Sequence, residues 1–215
     1  MIVTLGLEEG IGQLHAHFAI ALPADAQVRL AAYLDLLAKW NRTYNLTAIR
    51  EPERMITHHV LDALAVLPHL PSQAGLRVLD VGSGGGVPGL VLAIARPDWC
   101  VVVLDSSHKK GAFLQQAVME LRIGNAEAVT ARVEDYAAAT LFDVVISRAF
   151  SDLTTFAQTS ARHVAPQGRL VAMKGVYPDE ELTNLPPMLR VVATPALTVP
   201  GVEAERHLII MQLAA

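Results

Sequence analysis

Short apolar runs alternate with longer stretches of helical spacing along most of this 215-residue chain. Seven runs read as strands: 78–81, 99–105, 126–131, 142–147, 169–174, 189–198 and 206–213. Helical stretches at 88–96, 107–122 and 152–164 separate several of them. That alternation predicts an α/β fold, a mostly parallel seven-stranded sheet with right-handed crossovers and helices on both faces. The last two strands join through Pro200-Gly201 without a helix, so a terminal hairpin is expected. Before residue 70 the pattern is helical only, at 8–20, 25–41 and 52–67. In the second of these, Leu30, Tyr33, Leu34, Leu37 and Trp40 form one apolar stripe that predicts a core-facing side. Asn41 to Thr47 reads as a polar turn, and Pro68, Pro71, Ser72 and Gly75 mark a linker. The expected organisation is an N-terminal helical extension, 1–70, packed on a sheet domain, 71–215.

The first strand ends in Asp80 and runs into Gly82-Ser83-Gly84-Gly85-Gly86-Val87-Pro88-Gly89. A strand, a glycine-rich turn and an apolar helix in that order predict a nucleotide crevice at the C-terminal edge of a parallel sheet. The dinucleotide fingerprint fits from Gly84, through Gly86 and Gly89, but not from Gly82. Asp80 two residues before the first glycine gives Asp-x-Gly-x-Gly-x-Gly, the pattern of enzymes that use S-adenosylmethionine (SAM). Asp105 ends the second strand, where a carboxylate can accept both hydroxyls of a ribose; SAM and NAD share this feature. The residues after about 150 complete one sheet and leave no separate substrate domain of the kind NAD enzymes usually carry. The arrangement predicts the class I SAM-dependent methyltransferase (Rossmann-like) fold.

Composition narrows the setting. No apolar run reaches the roughly 18 residues that a membrane span needs, and no basic-then-apolar leader opens the chain. The only cysteine, Cys100, excludes a disulfide framework and a cysteine-based metal site, and is expected to be a small buried hydrophobe inside its strand. A cytoplasmic, monomeric protein is expected. The net charge of −4 weighs against a nucleic-acid partner. Distribution weighs the other way: of four lysines, Lys109, Lys110 and Lys174 follow strand ends, as do Arg132 and Arg148. A local basic patch on an acidic body is expected.

The chemistry is bounded by what is missing. Ser147-Arg148-Ala149-Phe150 stands after the fourth strand, where adenine N6 enzymes carry Asn/Asp-Pro-Pro-Tyr/Phe. Cys100 lies in the wrong strand to attack a pyrimidine ring. His58 and His59 are adjacent in a helix and point about 100° apart, which is poor geometry for one metal, and no metal is expected. A nucleophile needing no activation fits what remains. Guanine N7 carries a free lone pair, and an arginine donating to O6 holds such a base well; Arg148 stands where that group belongs. A SAM enzyme acting on a small molecule or protein, and a non-catalytic nucleotide sensor, stay open on these residues alone.

A set of short elements occurs in order: Trp40-Asn41-x-x-Tyr44-Asn45-Leu46-Thr47, His59-x-Leu61-Asp62, the glycine loop, Leu104-Asp105-Ser106, Arg132-Val133-Glu134, Ile146-Ser147-Arg148-Ala149-Phe150, Lys174-Gly175 and Glu205-Arg206-His207. Together they resemble the bacterial RsmG (GidB) family, over residues from about 30 to 213. The resemblance implies methylation of N7 of a guanine in the decoding region of 16S rRNA, with 16S rRNA or the small ribosomal subunit as partner. It implies SAM contacts at Gly82 and Val87, at Val133 and Glu134 for the adenine end, and at Arg148 beside the target base. Asp80, Gly84 and Asp105 complete the expected cofactor set. Asn45, Lys109, Lys110, Arg132 and Lys174 are candidates for rRNA contact. Asn45 and Thr47 serve equally well as caps of a helix turn. Gly85 replaces a proline frequent in the family, which predicts a looser loop in the empty protein.

Overall fold

The computed structural model describes residues 2–148, 150 and 152–214; Ala149 of the Ser-Arg-Ala-Phe element lies outside them. Helices α1 (Ile2–Phe18) and α2 (Ala26–Tyr44) come first. A helical segment follows as α3 (Pro52–Met55), a π-helical stretch (Ile56–Leu61) and α4 (Asp62–Leu64). Strands β1 (Arg77–Val81) and β2 (Cys100–Asp105) flank α5 (Gly89–Ala95), and α6 (His108–Glu120) leads to β3 (Ala126–Thr130). Then come β4 (Phe142–Ser147), α7 (Leu153–Ser160), a 3-10 turn (Ala161–His163), β5 (Val164–Lys174), α8 (Asp179–Thr183), β6 (Leu189–Ala193) and β7 (His207–Leu213).

The seven strands form one sheet in the order β3-β2-β1-β4-β5-β7-β6. β7 runs antiparallel to both neighbours and the other pairs are parallel. This is the class I methyltransferase fold. Strand order reverses at β1, which pairs β2 on one side and β4 on the other. The β1-to-β2 connection leaves to one side of β1 and the β3-to-β4 connection returns to its other side, so the C-terminal ends of β1 and β4 border a crevice.

Strict alternation along each strand feeds two cores, one per face. Val78, Val101, Val103, Val144 and Ile146 point to the face covered by α1, α2, α5 and α6. Leu79, Val102, Leu104, Val145 and Leu170 point to the face covered by α7. Burial on both faces explains why the central strands read as continuous apolar runs. The stripe on α2 meets the first core: Leu30, Tyr33 and Leu37 have no exposed surface. Trp40 packs against the same cluster, with ring contacts to Tyr44 and Phe113.

Three expectations are corrected. α2 runs on to Tyr44, through the segment expected to be a turn, because Asn41 is buried and spends its side chain on the loop beyond, accepting from Thr47 N–H (2.9 Å). The helix expected over 52–67 is interrupted by the π-helical stretch. Cys100 is exposed, because it occupies the first position of β2, where the sheet face is no longer covered.

Candidate active site

Both acids at the strand ends hold the glycine loop. Asp80 is completely buried; its Oδ2 accepts from the Ser83 hydroxyl and from Gly89 N–H (2.8 Å). A Cβ on Gly89 would sit 2.5 Å from Val103 Cγ1 and 2.8 Å from Asp80 Cβ, so only glycine lets α5 start this close to β1. Burial pushes the Asp80 carboxyl up to about 6, against the pull of these hydrogen bonds and of Arg148. Its Oδ1 is buried without a partner.

Asp105 faces the crevice. Its Oδ2 accepts from Gly84 N–H and its Oδ1 from Ser107 N–H, each at 2.9 Å, and the Lys110 ammonium lies 3.7 Å away. Gly84 has φ +57, a left-handed turn that aims its N–H at the carboxylate. The loop is tied from the other side as well. The buried Tyr33 hydroxyl on α2 donates to the Gly85 carbonyl at 2.6 Å, and Leu37 packs on Gly85, 3.1 Å from where a Cβ would stand. Gly85 is therefore contacted by α2 through both its carbonyl and its Cα face.

Beyond β3 a turn carries Arg132, Val133 and Glu134. Arg162, in the 3-10 turn after α7, donates to the carbonyls of Val133 (3.1 Å), Glu134 and Tyr136 (3.1 Å). His163 Nε2 lies 3.0 Å from the same Val133 carbonyl, and burial lowers its pKa. These two side chains fix the turn from below.

At the end of β4, Arg148 reaches towards the π-helical stretch. Its Nη1 donates to the His58 carbonyl (2.7 Å) and lies 3.5 Å from an Asp62 carboxylate oxygen. Arg206, just before β7, contacts the other Asp62 oxygen at 3.2 Å. Asp62 is buried, and burial raises its pKa while the two guanidinium groups pull the other way. His59 stands beside Arg148 and bonds Thr47 Oγ1 through Nε2 at 3.1 Å. Burial, then the Arg148 charge, brings its pKa down to about 4, so the ring is neutral at physiological pH.

Three adjoining cavities make one groove. The first, about 290 Å³, is lined by Gly82, Asp105, Arg132, Val133 and Glu134. The second, about 210 Å³, shares Gly82 and Lys110 with the first and adds Gly84, Val87 and Arg148. The third, about 420 Å³, shares Thr47, His59 and Arg148 with the second and adds Asp62, Lys174 and Arg206. The first two have a donor set of a kind that suits SAM: an acid at a strand end, an apolar turn with backbone groups beyond it, and a glycine cradle on the other side.

The structure thus gathers Gly82, Gly84, Val87, Asp105, Val133, Glu134 and Arg148 along one groove. Asp80 lies behind the loop and acts on it from inside the core. The rRNA candidates are dispersed. Lys110 lines the groove beside Asp105. Lys174 lines the third cavity, but its ammonium is engaged by Glu181 at 2.8 Å. Arg132 is exposed and 3.7 Å from Glu134, and Lys109 is exposed on α6. Asn45 sits in left-handed backbone at the end of α2, with its side chain accepting from Arg50 at 2.6 Å. Sequence reasoning assigned no role to Tyr33, Arg162 or Arg206. Tyr33 was hidden in an apolar stripe and Arg162 in a helix end. Arg206 had a signal, since it belongs to the Glu205-Arg206-His207 element.

Residues 26–209 match the model of the GidB family, rRNA small subunit methyltransferase G. Curated relatives named ribosomal RNA small subunit methyltransferase G include one from Laribacter hongkongensis, 49% identical, covering 95% of this chain and 98% of its own. Another, from Chromobacterium violaceum, is 50% identical and covers 98% of each chain. Among solved structures, a SAM-dependent methyltransferase from Aquifex aeolicus superposes with a TM-score of 0.57 at 17% identity, covering 82% of this chain and 98% of that one. The O-methyltransferase TomG from Streptomyces achromogenes, solved with SAM, also gives 0.57, at 16% identity over 94% and 96%. The structural likenesses speak for the fold; the profile match and the half-identical relatives go further, and the chain belongs to the rRNA small subunit methyltransferase G (GidB) family.

Proposed function

We propose that this chain methylates N7 of a guanine of 16S rRNA, guanine 527 in the decoding-region loop. The observation that carries the reading is the continuity of the groove. A cofactor cradle runs through a throat at Arg148 into a third cavity lined by Arg148, Lys174 and Arg206 with Asp62. The cofactor is SAM. Bound SAM would supply a sulfonium methyl: its S–CH3 bond would break with the electron pair left on sulfur as the N7 lone pair forms the N–CH3 bond. No proton moves, so the site needs no general base.

The residues then act by position. Val133 and Glu134 meet the adenine edge, on a turn clamped by Arg162. Asp105 accepts the ribose hydroxyls while holding Gly84. Arg148 donates to guanine O6 and sets N7 in line, with Asp62 balancing its charge. Arg206 and Lys174 supply positive charge to the backbone of the same nucleotide. In-line alignment is the main catalytic device, because an electrophilic methyl and a free lone pair already provide the chemistry.

The test is methyl transfer from labelled SAM to small subunits, or to 16S rRNA, from cells lacking the enzyme, with mapping of the modified base. Label at N7 of the decoding-region guanine is expected. SAM binding without transfer to any rRNA or subunit would overturn the reading.

A further inference from the structure

The throat between the cofactor cradle and the third cavity has three walls in common to both: Thr47, His59 and Arg148. The proposed mechanism uses only Arg148. His59 is 2% exposed, and its two ring nitrogens have unlike surroundings. Nδ1 lies 3.0 Å from the His58 carbonyl, an obligate acceptor. Nε2 lies 3.1 Å from the Thr47 hydroxyl, whose oxygen already accepts from Ile49 N–H at 3.1 Å. One proton arrangement satisfies all of them. Nδ1–H donates to the His58 carbonyl, and the Thr47 hydroxyl donates to the Nε2 lone pair. The Arg148 nitrogens are 3.5 Å from Nδ1, too far to compete with a 3.0 Å carbonyl. That carbonyl is also the one that Arg148 Nη1 bonds at 2.7 Å. His59 and Arg148 are therefore tied to a single acceptor on the π-helical stretch.

We propose that His59 is a positioning residue: held by Thr47 as its neutral Nδ1–H tautomer, it fixes the Arg148 guanidinium at the throat through the shared His58 carbonyl. The inference rests on the proposed function for its role in turnover, but the tautomer stands without it. The chemistry of the throat explains why a neutral ring is placed there. A second positive charge beside Arg148 would repel the guanidinium and oppose a sulfonium approaching from the cradle. The depressed basicity of His59 is the state this arrangement requires. The π-helical stretch is part of the device, since such insertions re-aim groups at functional sites.

Two measurements test it. The first is activity-free: two-bond proton–nitrogen correlation on protein labelled with 15N-histidine, at neutral pH, with His59 assigned by its loss in His59→Gln. The expected pattern is a protonated Nδ1, the reverse of the tautomer favoured by a free side chain in water; a protonated Nε2 overturns the proposal. The second is kinetic. Thr47→Val and His59→Phe each lower kcat about tenfold or more, as small misplacements at a reacting centre do. Their SAM dissociation constants stay within about threefold of the parent. The double variant is no slower than the worse single one, because the two residues act as one unit. His59→Gln, which keeps an acceptor for Thr47, recovers part of the loss. Parent-like kcat in either single variant, additive losses, or a loss explained by SAM affinity overturns the role. Failure of the parent protein to methylate rRNA sinks the proposed function and leaves the tautomer result untouched.

Discussion

Asp80 and Asp105 have the same residue type, at the same end of neighbouring strands, and opposite fates. Asp105 keeps a face on the groove, and Asp105→Ala should weaken SAM binding by about 2 kcal/mol or more, the scale of lost hydrogen bonds to a charged group. Calorimetry showing unchanged affinity would remove it from the ribose site. Asp80 is sealed, with one oxygen unpartnered. Its pKa rises from 3.8 to about 6 in the fold, so the protonated form is favoured there. Its contribution to stability is therefore complete below about pH 4 and is lost as pH rises through about 6. Melting of the cofactor-free parent relative to Asp80→Asn should decline across that window and level off above it; a flat difference would reject the assignment. At Arg148, replacement by alanine should cut turnover about a hundredfold while the chain still folds, because Arg206 continues to neutralise Asp62. Arg148→Lys keeps charge but not the fork, and should recover little. Normal turnover in Arg148→Ala removes the residue from the mechanism.

At the scale of elements, the glycine loop is suspended between two supports. One is the pair of acids on the sheet; the other is α2, through Tyr33 and Leu37. Tyr33→Phe deletes one buried hydroxyl and leaves the Gly85 carbonyl short of a donor. It should cost about 1 kcal/mol of stability and raise KM for SAM more than it lowers kcat. An unchanged KM would show that the loop keeps its shape without α2. The sheet and its helices were legible because strand, turn and helix periods differ sharply, and the loop because glycines follow an acid at a strand end. What stayed hidden has a common cause. Tyr33 carries its polar atom on an otherwise apolar stripe, and periodicity reports only the stripe. The π-helical stretch needs one extra residue in a turn, which leaves no mark in residue types. Arg162 acts on the backbone of a turn 26 to 29 residues earlier, and a side chain bonding carbonyls needs no partner of any particular kind. Asn41 reads as a turn former because its polarity is visible and its burial is not.

For the whole molecule, a net charge of −4 and the cations that line the groove work at cross purposes. Several of the cations near the groove are already paired within the chain, as Lys174 is with Glu181 and Lys110 with Asp105. Few counterions are then released when rRNA docks. The logarithmic salt slope of rRNA binding should be shallow, about −2 to −4 on the scale of roughly −0.7 per single-strand phosphate. A slope of about −7 or steeper would mean a far wider basic footprint than these residues provide. The position of Cys100 has a different use. The chain has one thiol, and it is exposed at the start of β2, whereas the groove opens at the far ends of the same parallel strands. A maleimide dye will therefore load once per molecule, at the strand ends opposite the groove. Anisotropy or energy transfer from that one position can follow the protein onto and off rRNA without a label in the groove.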